Sequence, residues 1–277
     1  MTNAIDEGKK PYLSPSQIDM YLRCGESYRR RYIEGERIPP GVAMLQGSGV
    51  HAGAEVNFRQ KVNSRTDLPA GDIIDAAVDG FDRGLLGGYQ IDSDGPAPDE
   101  ARDQVATLAE LYADEVAPEY QPVHVEQAVK IELPGPYDML GVLDVADEQG
   151  RVIDIKTTGK AKSQHECDTS AQLTFYAAAH RVLTGKLASE VRLEVLVKTK
   201  RPKRVMLAST RGQEHFAALA NKINAVSAGI KAGVFLPAEP GSWMCSPKFC
   251  GYYHTCPFVA NGAATIVDLH VPSDSGE

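Results

Sequence analysis

The chain has 277 residues, 43% of them hydrophobic, enough to bury one substantial core. Its formal net charge of −8 argues against a general nucleic-acid coat protein, whose affinity comes mainly from phosphate neutralisation, but allows an enzyme with a local basic channel. No apolar run approaches the roughly 18 residues that span a bilayer, and the segment from Met1 to Tyr12 lacks the apolar centre of a secretory signal, so a cytoplasmic protein with no membrane partner is expected.

Residues 1–11 read as a flexible N-terminus. Ser14 can cap a helix that Pro15 opens, and Gln17 completes a capping box. Ile18, Tyr21, Leu22, Tyr28 and Tyr32 follow at near-helical spacing, predicting a helix with one buried side and Cys24 close to that stripe. Gly47-Ser48-Gly49 reads as a joint into a second helical stretch through His51, Glu55 and Phe58. Residues 63–100 mix helical pieces with loops, with a break at Asp92-Ser93-Asp94-Gly95-Pro96. Residues 100–116 read as an amphipathic helix with Val105, Leu108, Leu111, Tyr112 and Val116 inward.

The pattern changes at about residue 123. Segments 123–133, 138–146 and 151–156 read as strands, separated by Pro134-Gly135-Pro136 and by the turn Asp147-Glu148-Gln149-Gly150. A helix over about 169–184 follows, then strands 190–199 and 203–209 around Arg201-Pro202, then a helix over about 212–232. This order predicts an α/β fold with a mixed sheet. The tail, 259–277, is small, polar and acidic, and its last residues are expected to be mobile. Two basic stretches, Arg29 to Arg31 and Lys198 to Arg204, are either solvated faces or nucleic-acid contacts.

The chemistry concentrates in Gly141-Val142-Leu143-Asp144 and Val152-Ile153-Asp154-Ile155-Lys156-Thr157. Asp154 and Lys156 are two apart on a strand and share a face. Asp144 lies across the preceding turn, so a tight hairpin is expected to bring two carboxylates and an ammonium to one edge of the sheet. Such carboxylates repel unless a cation lies between them, and hard oxygen ligands select Mg²⁺ or Mn²⁺. Gln172 and Tyr176 are four apart and share a helix face. His51 is a candidate metal ligand whose ring Glu55 or a carbonyl would fix.

In this order, the motifs resemble the RecB-like branch of the PD-(D/E)xK nucleases, the branch of the AddB nuclease domain and of the CRISPR spacer-acquisition nucleases. The likeness runs through Leu13 to Ser16, Tyr21 and Cys24; Gly47 to His51; Gly141 to Asp144; Asp154 to Thr157; Gln172 and Tyr176; and the late cysteines. It covers about residues 12–258, nearly the whole chain. It implies a restriction-endonuclease-like core over 123–209, a mainly helical part over 12–122, and a helix with an iron–sulfur segment over 210–258. It further implies that His51, Asp144, Asp154 and the Ile155 carbonyl bind the divalent metal. Lys156 would be the catalytic lysine, with Gln172 and Tyr176 supporting the site and the DNA strand. Glu126, on the first strand, is a candidate supporting acid. The expected activity is metal-dependent hydrolysis of DNA, as an exonuclease on single strands or ends, in recombination, repair or phage DNA metabolism, with a recombination or replication protein as a possible partner. The competing reading is a DNA-binding adaptor that kept the fold, either without activity or dependent on a partner.

Cys245, Cys250 and Cys256 fall within twelve residues, which points to a metal site rather than a disulfide scaffold. The resemblance implies a [4Fe–4S] cluster completed by Cys24. The four residues between Cys245 and Cys250 depart from the family's more familiar two. Zinc, held by these three with His254 or Cys24, is the alternative. A structural clamp buried beside Tyr28 and Trp243 is expected, and Cys167 fits no pattern.

Overall fold

The computed structural model describes residues 10–90 and 95–259. A short strand β1 (Tyr12–Leu13) leads into α1 (Pro15–Arg23). Ser14 Oγ accepts from Gln17 N–H while the Gln17 side chain accepts from Ser14 N–H, so the expected capping box forms. The predicted helix does not run on to Tyr32. Cys24 takes an extended conformation (φ −161°, ψ 101°), ends α1, and precedes a four-residue α2 (Gly25–Tyr28) and a π-helical turn, Arg29–Ile33. The break lets Gly25 N–H bond to Leu236 O (2.7 Å), tying the first helices to the chain that follows the last one.

Next come α3 (Val42–Ser64), α4 (Ala70–Leu86) and α5 (Pro98–Leu111), the last continued by a π-helical turn, Tyr112–Val116. The joint expected at Gly47-Ser48-Gly49 is absent, because these residues lie inside α3. A Cβ on Gly49 would stand 2.8 Å from Ala77 O, and one on Gly53 would stand 2.7 Å from Ile73 O. These glycines therefore serve the close approach of α3 to α4 rather than a turn. Of the expected break at 92–96, residues 92–94 lie outside the described residues, as do the expected flexible start over 1–9 and the tail from 260.

Strands β2 (Pro122–Ile131), β3 (Asp138–Asp147) and β4 (Arg151–Thr158) follow, then α6 (Gln164–Thr169), α7 (Ala171–Thr184), β5 (Glu190–Val197), β6 (Lys203–Ser209) and α8 (Gln213–Lys231). α6 is not among the expected segments; the others lie within a few residues of theirs. The sheet is mixed and runs β1-β3-β4-β5-β6, with β2 on β3; β1–β3 and β4–β5 are parallel and the other pairs antiparallel. This is the mixed sheet flanked by helices that the resemblance implies.

Alternation along the strands sorts side chains to two cores. Val152, Leu193 and Val195 face one core with Ile18, Phe175 and Ile223 from α1, α7 and α8. Ile153, Ile155 and Leu196 face the other, with Phe58, Phe81 and Leu108 from α3, α4 and α5. The molecule is thus a three-layer sandwich with the sheet in the middle. No helix among the described residues is long and apolar enough to cross a membrane.

Candidate active site

The site lies where two strands part. β3 and β4 pair only at Val145↔Ile153 and Ala146↔Val152, next to the turn that joins them. Because β2 covers one edge of β3, β1 and β4 must share the other, taking its beginning and its end. The stretch from Leu140 to Asp144 is left open between them. Asp144 and Asp154 stand at the first step of this opening, so the carboxylates meet inside the sheet and not at its edge as expected. β5 and β6 extend the sheet beyond β4, which makes β4 a central strand.

Each carboxylate is held differently. Tyr176 donates its hydroxyl to Asp144 Oδ1, and Ile155 N–H points at Asp144 Oδ2 (3.4 Å). Asp154 is 2% exposed, and its Oδ1 stands 2.8 Å from Lys156 Nζ without an aligned hydrogen bond. Burial raises the Asp154 carboxyl, Lys156 opposes, and the like charge of Asp144 adds to the rise. Burial would lower the Lys156 ammonium, but Asp154 and Asp144 outweigh it and hold the lysine charged.

His51 reaches the site from α3 on the opposite face. Its Nε2 stands 2.6 Å from Ile155 O, and its Nδ1 stands 3.9 Å from Asp144 Oδ2. Burial, then Lys156, lowers its pKa, which favours the neutral imidazole that can ligate a metal. Glu55 does not fix the ring; it pairs with Arg59 (2.7 Å), and the Ile155 carbonyl takes the orienting role. A cavity of about 10 Å³ lies between His51, Glu55, Glu126, Asp144 and Ile155, the scale of one water-sized body.

Glu126 has a left-handed backbone (φ 47°) in mid-strand. Val125↔Val145 and Gln127↔Leu143 flank it, so it lies across from Asp144. A non-glycine residue held there stores strain. Burial, with the charges of Asp144 and Glu55, pushes its carboxyl up to about 7.

The Gln172–Tyr176 pair forms as expected. Ser170 caps α7 by accepting from Leu173 N–H, and Gln172 Nε2 donates to Tyr176 Oη (2.8 Å). Burial, then Asp154 and Asp144, raises the tyrosine far above its ordinary value, so it stays a donor. Both residues line an open groove of about 2490 Å³ with Arg23, Arg31, Arg37 and Lys198 on its walls.

Cys24, Cys245, Cys250 and Cys256 line the same groove as free thiols. Burial raises the Cys245 thiol, and Cys250, Cys256 and Cys24 each raise it further, so all four are electrostatic neighbours. Tyr28 is buried near Cys24, but Trp243 is 66% exposed and meets Phe249 edge-on (4.8 Å), so it does not cover the cysteines. Cys167 is buried in the core below α7. As the side chains stand, no three His, Cys, Asp or Glu among the described residues close on one point tightly enough to cage a metal ion.

A family model for the PD-(D/E)XK nuclease superfamily matches residues 12–257, nearly the whole chain. The chain belongs to the PD-(D/E)XK nuclease superfamily. Within the superfamily fold, it is similar to the crystal structure of a "putative exonuclease" from Eubacterium rectale, at 14% identity and a TM-score of 0.58, over 92% of this chain and 93% of that one. A second solved structure, SSO0001, aligns at 15% identity and a TM-score of 0.34 over 88% of this chain and 95% of that one. No curated protein matches in sequence. For this PD-(D/E)XK member, reading the sequence alone missed Gln46, a fully buried glutamine on α3 that holds Lys198. Only the packing of α3 on α5 and on the end of β5 gives it meaning.

Proposed function

We propose that this nuclease hydrolyses DNA phosphodiesters with Mg²⁺ or Mn²⁺, acting as an exonuclease on single strands or ends. The observation that carries the reading is the convergence of His51, Asp144, Asp154, the Ile155 carbonyl and Lys156 where β3 and β4 part. The donor set fits a hard divalent cation: two buried carboxylates, a carbonyl and a neutral imidazole, with Asp154 Oδ1 lacking an aligned hydrogen bond. His51, Asp144, Asp154 and the Ile155 carbonyl would hold the cation, which when bound would supply positive charge to the phosphate and acidify a water. Lys156, kept charged by both carboxylates, stabilises the charge that develops on the phosphoryl oxygens. Tyr176 fixes the rotamer of Asp144, and Gln172 holds Tyr176 from the groove side. The groove walls, with Arg23, Arg31 and Arg37, suit a polyanionic strand.

For the cysteines, we infer a [4Fe–4S] cluster held by Cys24, Cys245, Cys250 and Cys256, with zinc as the alternative. Four free thiols that line one groove, with the Cys245 thiol raised by burial and by the other three, fit a cationic centre in kind and in neighbourhood. Such a centre would clamp α1 to the C-terminal segment. A role in recombination, repair or phage DNA metabolism, a cytoplasmic location, and any recombination or replication partner rest on the sequence resemblance and composition alone.

The test is digestion of end-labelled single- and double-stranded DNA with Mg²⁺, Mn²⁺ or EDTA, using anaerobically purified protein beside Asp154→Ala. Metal-dependent loss of substrate that the variant lacks supports the nuclease, and the label's fate gives its polarity. Equal loss in both proteins removes the site assignment. DNA bound but uncut favours the adaptor or partner-dependent reading. Iron, sulfide and zinc analysis of the same protein and of Cys250→Ala separates the two cysteine chemistries.

A further inference from the structure

The basic stretch Lys198 to Arg204 divides in the fold. Arg204 is spent inside the protein, on the fully buried Glu194 and on Glu119. Lys200, Arg201 and Lys203 are exposed. Lys198 is different: it is the first residue after β5, its N–H bonds to Thr158 O (2.8 Å) at the end of β4, and its side chain turns into the groove wall beside the start of α3.

No carboxylate among the described residues pairs with this ammonium. Its Nζ donates to Gln46 Oε1 (2.8 Å) and Ala43 O (3.3 Å), both neutral. Gln46 cannot turn away, because it is fully buried and its Nε2 donates to Ala101 O (3.2 Å) and Gln104 Oε1 (3.0 Å). That network leaves Gln46 one orientation, with its carbonyl oxygen facing Lys198. An ammonium has three N–H donors, so one remains beyond these two acceptors. The setting is costly for a cation: burial lowers its pKa with nothing opposing, and it lies by the first turn of α3, the positive end of a 23-residue helix with no acidic residue in that turn. An anion from the groove would relieve both costs.

We propose that Lys198, held by Gln46, is a nucleic-acid backbone anchor that binds one phosphate of the strand in the groove. β4 and β5 are adjacent and parallel, with Lys156↔Val195 and Thr158↔Val197 in register, so the anchor lies just past the end of the strand that carries the catalytic lysine. Lys198 would fix where the strand rests rather than act on the scissile bond. The proposal rests on the nuclease reading, which supplies the groove's polyanionic occupant.

The experiment is fluorescence anisotropy of a labelled single-stranded oligonucleotide with the full chain in EDTA, titrated across salt, so that cleavage plays no part. Lys198→Gln is expected to weaken binding about tenfold and to reduce the log–log salt slope by about 0.7, one phosphate contact on a single strand. Lys198→Arg should restore most of both. Lys203→Gln, exposed and outside the groove, should match the wild type. Wild-type affinity and slope in Lys198→Gln, with its circular dichroism unchanged, would overturn the anchor while leaving the nuclease intact. A wild-type protein that binds no oligonucleotide at low salt would overturn the nucleic-acid reading and the anchor with it.

Discussion

From α7, the Tyr176 hydroxyl donates to Asp144 Oδ1 on β3, and Gln172 donates in turn to the tyrosine oxygen. A helix residue is thus the device that aims a strand carboxylate. Removing the hydroxyl leaves Asp144 Oδ1 without this donor and free to turn. Tyr176→Phe keeps the ring in its buried place and should lower metal-dependent cleavage by about 10–100-fold, the usual cost of losing a group that orients a ligand. The metal concentration giving half activity should rise as well. A melting temperature close to wild type, measured alongside, would place the loss in the site. An unchanged metal dependence would remove Tyr176 from it.

Glu126 makes a pH prediction with a definite sign. Its carboxyl is raised to about 7 by burial and by Asp144 and Glu55, whereas in the unfolded chain it titrates near ~4.3. A raised carboxyl favours the fold while it is protonated. Its contribution therefore turns unfavourable as pH climbs from the unfolded value through about 7. Glu126→Gln should remove that decline in the metal-free protein. The variant's thermal stability relative to wild type should grow between about pH 4 and 8, by about 2–4 °C for each kcal/mol recovered. Melting curves in EDTA across this range would show it, and parallel wild-type and variant curves would rule it out.

The strands and the late helices were legible because the alternation of apolar residues is bounded by strong punctuation, such as Pro134-Gly135-Pro136 and Asp147 to Gly150. In the latter, Gly150 takes φ 76° and Asp147 Oδ1 receives Gln149 N–H and Arg151 N–H. The α3 glycines misled for a physical reason: glycine signals a turn and a close helix contact equally well, and only α4 distinguishes them. The break at Cys24 has no proline or glycine before it, and the bond it frees Gly25 to make is to Leu236, over two hundred residues away. At the site, the Asp154–Lys156 pair was legible from a spacing of two. Its place inside the sheet was not, because that depends on where β3 and β4 stop pairing. The strain at Glu126 and the network through Gln46 leave no mark in the sequence, since both arise from long-range packing.

Gly141 offers a test of how tightly the groove floor is packed. It lies in the open stretch of β3, and a Cβ there would stand 2.5 Å from Phe175 Cε1 and 2.9 Å from Cζ. Phe175 is fully buried in the core shared with α7 and α8, so the ring has little room to retreat. Gly141→Ala should destabilise by about 1–3 kcal/mol, the usual range for overpacking. Because Phe175 precedes Tyr176, the displaced ring should also disturb the tyrosine's aim and lower cleavage. Denaturant unfolding of Gly141→Ala beside the double variant Gly141→Ala/Phe175→Leu checks this. The smaller side chain should recover part of the activity, and a double variant no more active than the single one would count against coupling through the ring.

At the other end of the same open edge, Asp138 joins three segments. It is 2% exposed, pairs with Lys10 and Lys130 (2.6 and 2.9 Å), and accepts from Leu133 N–H (3.2 Å). Burial alone would raise its pKa, but the two lysines and the backbone donor hold it at about 2. A depressed carboxyl contributes stability that is complete above its unfolded value, near ~3.9, and is lost as pH falls through the folded value. The wild type should therefore lose stability between about pH 4 and 2, where Asp138→Asn has nothing left to lose. The asparagine variant should be less stable at neutral pH, since it leaves Lys10 and Lys130 without their shared anion. The two acid unfolding curves should converge at the low end. Because Asp138 pairs in register with Tyr12, the strand that flanks the open edge of β3 should loosen first. Hydrogen exchange at Leu13 and Met139 would report that loosening, and protection there that survives to pH 2 in the wild type would contradict it.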